Sequence, residues 1–504
     1  MVQPSPPRAL QGGLLGLGLF ALGLRFWHLG RLSSLVFDEV YYVPFALGYL
    51  HQTPAFDAHP PLGKYLIALG ISLSRGPATW LHWPRVMVEA DALSPVGFRW
   101  MNALVGATLP VLLAALAWSL SSGYDRRRRI RFSLITGGLM GLEGLSLVES
   151  RLALINLYWL WFGLLGQWCW LVAGQARANP QLWRIAAGLA LGAAMNVKWN
   201  GAGFWLGLIL GECLPRRPST PPAKAASPGL LWGRRGFYLG LLPLITYSLL
   251  WLPHLALTGD TLGQVHRQIW QAHQSIGADR SPHPYCSAWY TWPLMLRPVA
   301  YYHQALGQAD QLVMMAPFRA SGETIQAIQG MGNPVLWWLG TAAVLALGLG
   351  QVSRWQKAKG SSQSIAAGVR QRAESLGEAW FLRTVGSQDT PRDCQPLAQV
   401  QALGRTQPVE MWILINYLAN WLPWLLVSRC TFLYHALGMV AFSTLGLAWL
   451  LSRWLSAGRR SHQALALGMI VAIALGFWFW LPVWLGLPLS PEALQRRWWL
   501  PSWI

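Results

Sequence analysis

The strongest constraint on the fold of this chain is a series of apolar segments, each about long enough to cross a lipid bilayer. A helix needs about 20 mainly apolar residues to span a hydrocarbon core of roughly 30 Å. Lipid offers no partners to backbone polar groups, so each segment is predicted to be helical. The predicted spans are residues 12–29, 98–120, 133–148, 152–172, 185–197, 202–214, 236–257, 333–352, 411–427, 433–451 and 463–485. The sequence therefore predicts an all-α integral membrane protein with about eleven transmembrane helices.

Composition separates this chain from soluble proteins. Of its 504 residues, 53% are hydrophobic and 12% are charged, against about 25% charged in a typical soluble domain. The chain carries 39 Lys and Arg against 19 Asp and Glu, a formal charge of +20. In a soluble protein this excess would suggest nucleic-acid binding, but in a membrane protein the location of the charges decides their meaning. We expect no nucleic-acid partner.

The basic residues predict on which side of the membrane each loop lies, because short cytoplasmic loops are enriched in Lys and Arg. With the N-terminus placed in the cytoplasm, every loop on that side is basic. The basic positions are Arg131, Arg177, Arg184, Arg216, Arg217, Lys224, Arg234, Arg235, Arg453, Arg459, Arg460 and the stretches 126–129 and 354–383. The C-terminus and the two long alternate loops are then predicted to lie outside a plasma or inner membrane.

The spans divide the chain into two predicted modules. Residues 1–258 form an N-terminal membrane module, whose first outer loop, 30–97, contains two segments suited to interfacial helices, 40–50 and 62–73. A second large outer loop, 259–332, leads to a C-terminal membrane module, 333–504, with a cytoplasmic linker at 354–410. No internal repeat is evident, which disfavours a transporter because many transporter folds carry one.

Several classes of site have no signature in the chain. Its five cysteines are scattered, without a CxxC pair or histidines at zinc-ligand spacing, so we expect neither a disulfide framework nor a zinc site. There is no P-loop, no Rossmann glycine motif after a strand and no HExxH. Nucleotide-driven pumps and zinc proteases are thereby excluded.

An acidic pair, Asp38 and Glu39, follows the first span at the start of the outer loop. Adjacent carboxylates repel, so a shared site must hold them with cations or hydrogen bonds, and one pKa can then reach the range of a general base. The alternative is that both are solvated loop acids.

Basic residues are predicted at the same outer level as the acidic pair. Arg25 lies inside the first span, where an arginine costs about 2.5 kcal/mol or more unless it is paired or reaches the surface. The candidate substrate-binding residues are Arg25, Arg99, His59, Lys64, Arg151, Lys198, His283 and Arg429. Several cations beside an acid suit a phosphate group next to a base, although each alone is also a common interfacial anchor.

Seven stretches of the chain resemble protein O-mannosyltransferases, which transfer mannose from polyprenyl or dolichyl phosphate mannose to Ser or Thr of secreted proteins. The most specific are FDEVYYVPFALGYL at 37–50 and HPPLGKYLIALG at 59–70. The others are ESRLALIN at 149–156, NVKWNGAG at 196–203, HPYCSAWYTWPLMLRPVAYY at 283–302, GNPVLWW at 332–338 and WLPSWI at 499–504. The resemblance thus covers nearly the whole chain.

The resemblance implies a GT-C type glycosyltransferase fold with outer-loop interfacial helices. It implies Asp38 as the base that accepts the hydroxyl proton and Glu39 as an orienting residue, with Arg25 and Arg99 at the donor phosphate or stabilising the site. Loop 259–332 is too short for the β-trefoil domain of eukaryotic members, so the chain resembles a prokaryotic member. Asn156 and Glu143 both differ from the Asp expected in the family pattern.

We therefore predict a transferase that inverts the anomeric centre, because no second nucleophile for a covalent intermediate is evident. Its expected partners are a polyprenyl-phosphate-mannose donor, Ser/Thr-containing secreted proteins and membrane lipids. Two alternatives are a GT-C enzyme acting on a glycolipid and a lipid-linked sugar flippase or transporter. No ligand set demands a metal, although the acidic pair would suit a divalent ion such as Mg²⁺ or Mn²⁺.

Overall fold

The computed structural model describes residues 7–176, 179–213, 233–275, 283–306, 324–356 and 408–504. Most of the predicted linker 354–410 lies outside these ranges, as do four basic loop residues and one cysteine. These are Arg177, Arg216, Arg217, Lys224 and Cys394.

The N-terminal half is helical. Its helices are α1 Arg8–Phe26, α2 Glu39–Leu50, α3 Leu62–Trp80, α4 Pro95–Leu120, α5 Arg126–Gly141, α6 Gly144–Arg151, α7 Asn156–Ala173, α8 Pro180–Val197 and α9 Ala202–Glu212. Local residues explain several helix starts. The Asp125 side chain accepts from the Arg128 amide at 3.0 Å and caps α5, while Pro95 and Pro180 occupy first-turn positions that need no N–H donor.

The C-terminal half continues the bundle. Its helices are α10 Gly233–Thr258, α11 Leu262–Ser275, α12 Pro334–Gln356, α13 Pro408–Trp421, α14 Leu437–Leu455, α15 Arg460–Leu485 and α16 Pro491–Gln495. α10 and α15 end at Gly259 and Gly486, whose φ angles of 74° and 64° are left-handed and favour glycine. The apolar window of the helix containing α14 is 94% buried, against 17% in α1 and α10. α14 therefore lies inside the bundle, and α1 and α10 face lipid.

Six described helices are long and apolar enough to cross a bilayer: α1, α4, α10, α12, α15, and α14 with the turn before it. The pair α6 and α7, bent by 117°, would make a seventh. Helices occupy all eleven predicted regions, and the membrane fold is confirmed, but the number of spans stays a prediction. The predicted segment 133–148 is not one helix, since α5 ends at Gly141 and Glu143 caps the new helix α6.

The first outer loop contains the expected helices α2 and α3, at the segments predicted to be interfacial. It also holds an unexpected hairpin of β1 Val86–Val88 and β2 Asp91–Leu93. A second small sheet joins β3 Val299–Leu306, β4 Thr324–Gly330 and β5 Pro488–Leu489, in that order and antiparallel. This sheet connects the predicted outer loop 259–332, which contains β3 and β4, to β5 after α15.

A disulfide joins Cys286 to Cys430. The expectation of no disulfide was therefore wrong for this pair. The two cysteines are 144 residues apart in the sequence, so no local spacing indicates that they meet. The bond links the second outer loop to the loop that follows α13.

Candidate active site

Asp38 is positioned by the residue before it. Phe37 has a φ of 54°, a left-handed conformation that is costly for a bulky residue and needs support from its surroundings. That support is a stacked ring contact with Tyr301, at 3.9 Å between centroids. The turn places Asp38 at the N-cap of α2, where its side chain makes no capping bond.

Glu39 is fully buried, and four donors bond its carboxylate. The Arg99 guanidinium donates to Oε1 at 2.8 Å and to Oε2 at 2.6 Å. The backbone amides of Val36 and Ala153 donate at 2.9 and 2.7 Å. Arg99 also donates to the carbonyls of Leu32 and Ser34. These contacts favour a structural role for Glu39 and Arg99, because neither keeps a free group for substrate.

Asp38 differs sharply from its neighbour. Within the described part of the chain, no hydrogen bond to its carboxylate is present. Desolvation raises the pKa of Asp38 to about 6, with Lys198 lowering the pKa and Asp57 raising it. A carboxylate with this pKa is ionised at neutral pH and can still take up a proton, which suits a general base.

A chain of hydrogen bonds links Lys198 to a second buried acid, Glu149. Lys198 Nζ donates to Asn156 Oδ1 at 3.0 Å, and Asn156 Nδ2 donates to Glu149 Oε2 at 3.2 Å. The Tyr301 hydroxyl donates to Glu149 Oε1 at 2.5 Å. Asp38 and Lys198 both interact electrostatically with Glu149. Glu149 and Tyr301 thus belong to the site, although neither was among the candidate residues.

A groove with a cavity volume of about 520 Å³ opens beside Lys198. Its cationic end is formed by Lys198 and Arg429, with His59 and His273 beside them. Most of the remaining wall is apolar and comes from α9, α11 and the turn after α13. The apolar lining residues include Trp205, Leu206, Trp270, Pro423 and Leu426.

Lys64 and His59 shape the loop between α2 and α3. Lys64 Nζ binds Asp57 at 2.5 Å and donates to the His59 carbonyl at 2.7 Å. Both contacts of the Lys64 ammonium lie within this loop, which favours a structural role for Lys64. The His59 ring lies 5.7 Å from the His273 ring of α11, at the edge of the groove.

The other predicted cations lie in different surroundings. Arg25 is fully buried among α1, α4 and α6, where its Nε and Nη2 have no hydrogen-bond partner among the residues that the structure describes. The absence of a side chain at Gly106 leaves space for the Arg25 guanidinium, since a Cβ at Gly106 would lie 2.9 Å from Arg25 Nε. Arg151 Nη1 donates to the carbonyls of Leu24, Arg25 and Trp27 and so caps the end of α1.

His283 lies outside the groove lining. Its ring contacts Phe432 at 5.2 Å, and its Nδ1 accepts from the Tyr285 amide at 3.2 Å. Within the described ranges, no three His, Cys, Asp or Glu side chains are grouped so as to hold a metal ion.

Two family models match the chain in succession. Residues 16–257 match the dolichyl-phosphate-mannose-protein mannosyltransferase model. Residues 260–503 match the model of the C-terminal four-span region of protein O-mannosyltransferases. The chain belongs to the protein O-mannosyltransferase family. Because the two matches are separated only by residues 258 and 259, no β-trefoil domain lies between them.

Individual relatives agree with the family models. The polyprenol-phosphate-mannose–protein mannosyltransferase of Mycolicibacterium smegmatis (strain MKD8) is 25% identical, over 95% of this chain and 90% of its own. The protein of the same name from Mycobacterium tuberculosis (strain CDC 1551 / Oshkosh) is also 25% identical, over 96% of this chain and 90% of its own. Both are glycosyltransferases of this family.

A solved relative supports the fold. The S. cerevisiae Pmt1–Pmt2 complex bound to the sugar donor contains a chain that superposes with a TM-score of 0.70 at 15% identity. The match covers 100% of this chain and 93% of that chain. The GT-C type architecture expected from the resemblance is thus confirmed.

The two departures from the family pattern have different structural meanings. Glu143 caps α6, accepting from the amides of Leu145 and Ser146 at 3.0 and 2.6 Å, and it also binds the Trp337 indole. Asn156 instead bridges Lys198 and Glu149. In this protein O-mannosyltransferase a neutral amide therefore links Lys198 to Glu149, while Asp38 also interacts electrostatically with Lys198.

Proposed function

We propose that this protein O-mannosyltransferase transfers mannose from polyprenyl-phosphate-mannose to Ser or Thr hydroxyls of proteins on the outer face of the membrane. The observation that carries the proposal is the position of Asp38. Its carboxylate accepts no protein hydrogen bond in the described chain and interacts with Lys198, which heads an apolar groove. A candidate base thus lies beside the cationic end of an apolar groove.

The groove supports the donor assignment. A polyprenyl phosphate has an anionic head and a long apolar tail, and the groove has Lys198 and Arg429 at one end and mainly apolar walls along the rest. The two cations repel each other, so a phosphate between them would relieve that repulsion. We therefore propose Lys198 and Arg429, rather than Arg25 and Arg99, as the residues that bind the phosphate.

The chemistry follows from these positions. The hydroxyl oxygen of the acceptor attacks the anomeric carbon, the bond from that carbon to the phosphate oxygen breaks, and polyprenyl phosphate leaves. Asp38 takes the hydroxyl proton, a role typically worth about 10²- to 10⁴-fold. Lys198 and Arg429 stabilise the charge that develops on the leaving phosphate. A single displacement inverts the anomeric centre.

Two further contacts support precise placement of the base. The Glu39–Arg99 pair fixes the start of α2 next to Asp38. The stacking of Phe37 on Tyr301 fixes the residue before it. Their proposed role is positioning, because base catalysis depends on a well-defined geometry with respect to the reacting hydroxyl.

The basic inner loops and the disulfide support an outer active site. Disulfides persist in oxidising compartments and are rare in the cytosol. Cys430, one half of the bond to Cys286, directly follows Arg429 in the chain. The candidate phosphate site is therefore expected on the oxidising side of the membrane.

The proposal can be tested with membranes supplied with labelled polyprenyl phosphate mannose and a Thr-containing peptide. We expect Asp38→Asn to reduce peptide labelling by at least about 100-fold with little loss of donor binding. Asp260→Asn, at another outer acid that the groove does not include, is the control and should retain activity. Near-normal turnover by Asp38→Asn would refute the base assignment. Label entering lipid instead of peptide would favour a glycolipid acceptor.

A further inference from the structure

A second group of cations lies just beyond the C-terminal end of α1. It surrounds a small cavity of about 20 Å³. The basic residues that line this cavity are His28, Arg31, Arg99 and Arg151, and apolar residues complete its wall. None of these basic residues lines the groove beside Lys198, so the cavity is a separate feature of the structure.

The cavity has an excess of positive charge. Of the residues that the structure describes, no acidic side chain lines it. Glu39 neutralises Arg99, but the charged groups that act on Arg151 are the cations Arg99, Arg25 and Arg31. Arg151 is only 8% exposed. Buried like charges are costly unless an anion compensates them.

Unused hydrogen-bond donors accompany this charge. Arg151 uses Nη1 for the carbonyls at the end of α1, and within the described residues its Nε and Nη2 have no protein acceptor. The Arg31 guanidinium, half-buried on the same cavity, has no protein acceptor in the described ranges either. Donors without acceptors beside uncompensated charge are the features of an anion site.

We infer that Arg31 and Arg151 bind a phosphate-class anion, most naturally the phosphate diester of a bilayer phospholipid. A cavity of 20 Å³ holds a water-sized group, so it admits phosphate oxygens and has no room for a sugar ring. The adjacent surface of α1 suits acyl chains, because Leu19 and Leu22 are 60% and 39% exposed. Trp27, 41% exposed, lies at the same end of α1, as interfacial tryptophans do.

The test compares lipid retention by the purified protein in native mass spectrometry, with phosphatidylglycerol or phosphatidylcholine supplied. We expect phosphatidylglycerol to be retained preferentially, because the Arg31 guanidinium would repel a choline group. Arg31→Gln should reduce its retention about tenfold, the typical effect of losing a charge-assisted hydrogen bond. Arg31→Lys should keep most of it, because the positive charge remains.

The matched control is Arg75→Gln, at an exposed arginine of α3 that does not line the cavity. Equal loss in Arg31→Gln and Arg75→Gln, or no loss in Arg31→Gln, would overturn the site. A second arm measures thermal unfolding with inorganic phosphate alone. If inorganic phosphate stabilised the wild type as much as phosphatidylglycerol, and Arg31→Gln abolished both effects, the ligand would be a free ion and the lipid assignment would be wrong.

Discussion

Arg99 donates two hydrogen bonds to the Glu39 carboxylate, from Nε to Oε1 at 2.8 Å and from Nη2 to Oε2 at 2.6 Å. Both side chains are buried, at 1% and 0% exposure. The adjacent Asp38 takes part in none of these bonds. The two neighbouring acids therefore have different surroundings: Glu39 connects the start of α2 to α4, whereas Asp38, the proposed base, has no hydrogen-bond partner among the described residues.

The first prediction concerns this ion pair. Glu39→Gln removes the negative partner of a buried arginine, and breaking such a pair typically costs about 3–5 kcal/mol. We expect lower thermal stability of the purified enzyme and lower transfer activity together. Asp38→Asn should lose activity without losing stability, since it removes a desolvated charge that has no hydrogen-bond partner among the described residues. Equal stability of Glu39→Gln and the wild type would contradict the structural role.

The second prediction is the pH dependence of transfer. Burial raises the pKa of Asp38 to about 6, and only the ionised form can accept the hydroxyl proton. Activity should therefore fall about tenfold per pH unit below pH 6 and approach its full value near pH 7. Initial rates from pH 4.5 to 8 at subsaturating acceptor would show this limb. A flat profile over that range would argue against Asp38 as the base.

The sequence predicted where helices occur better than where they break. Hydropathy runs through residues 133–148 without interruption, yet Glu143 caps a new helix inside that run. A buried carboxylate bonded to two amides and to Trp337 can replace the helical hydrogen bonds that are lost. Average hydropathy contains no information about such a cap.

The site was predictable in part, for a similar reason. The acidic pair and the basic positions Lys198 and Arg429 could be named from the sequence because charges are rare in this chain. Glu149 could not be named from the sequence as a site residue, because its place in the site depends on a contact with Tyr301, which is 152 positions away. The separation of Arg99 and Arg151 from the groove beside Lys198 also depends on tertiary contacts that no local pattern reveals.

The third prediction concerns the disulfide. The bond between Cys286 and Cys430 holds the loop that contains Arg429. Two hydrogen bonds join the same segments. The Ser287 amide donates to the Thr431 carbonyl at 2.7 Å, and the Thr431 hydroxyl donates to the Ser287 carbonyl at 2.6 Å. The double variant Cys286→Ser, Cys430→Ser should raise the donor KM several-fold, because Arg429 becomes less well positioned.

Dithiothreitol should have the same effect on the wild type, reducing the bond to two thiols while it is itself oxidised to a cyclic disulfide. It should have no further effect on the double variant. Cys213→Ser, at an exposed free cysteine, is the control and should leave the donor KM unchanged. An unaltered KM in the double variant would show that the two hydrogen bonds suffice to hold the loop.

The last prediction separates two candidate sites for the donor phosphate. Lys198→Gln and Arg429→Gln each remove a charge that lines the groove, so each should raise the donor KM about tenfold or more. Arg25→Met replaces a buried arginine that lies against Gly106 with an unbranched apolar side chain, and its donor KM should stay within about twofold of the wild type even if the amount of folded protein changes. KM measured on equal amounts of folded enzyme distinguishes the two sites. A large rise for Arg25→Met, with little change for the groove variants, would move the phosphate from the groove to the end of α1 and would require a different path for the lipid.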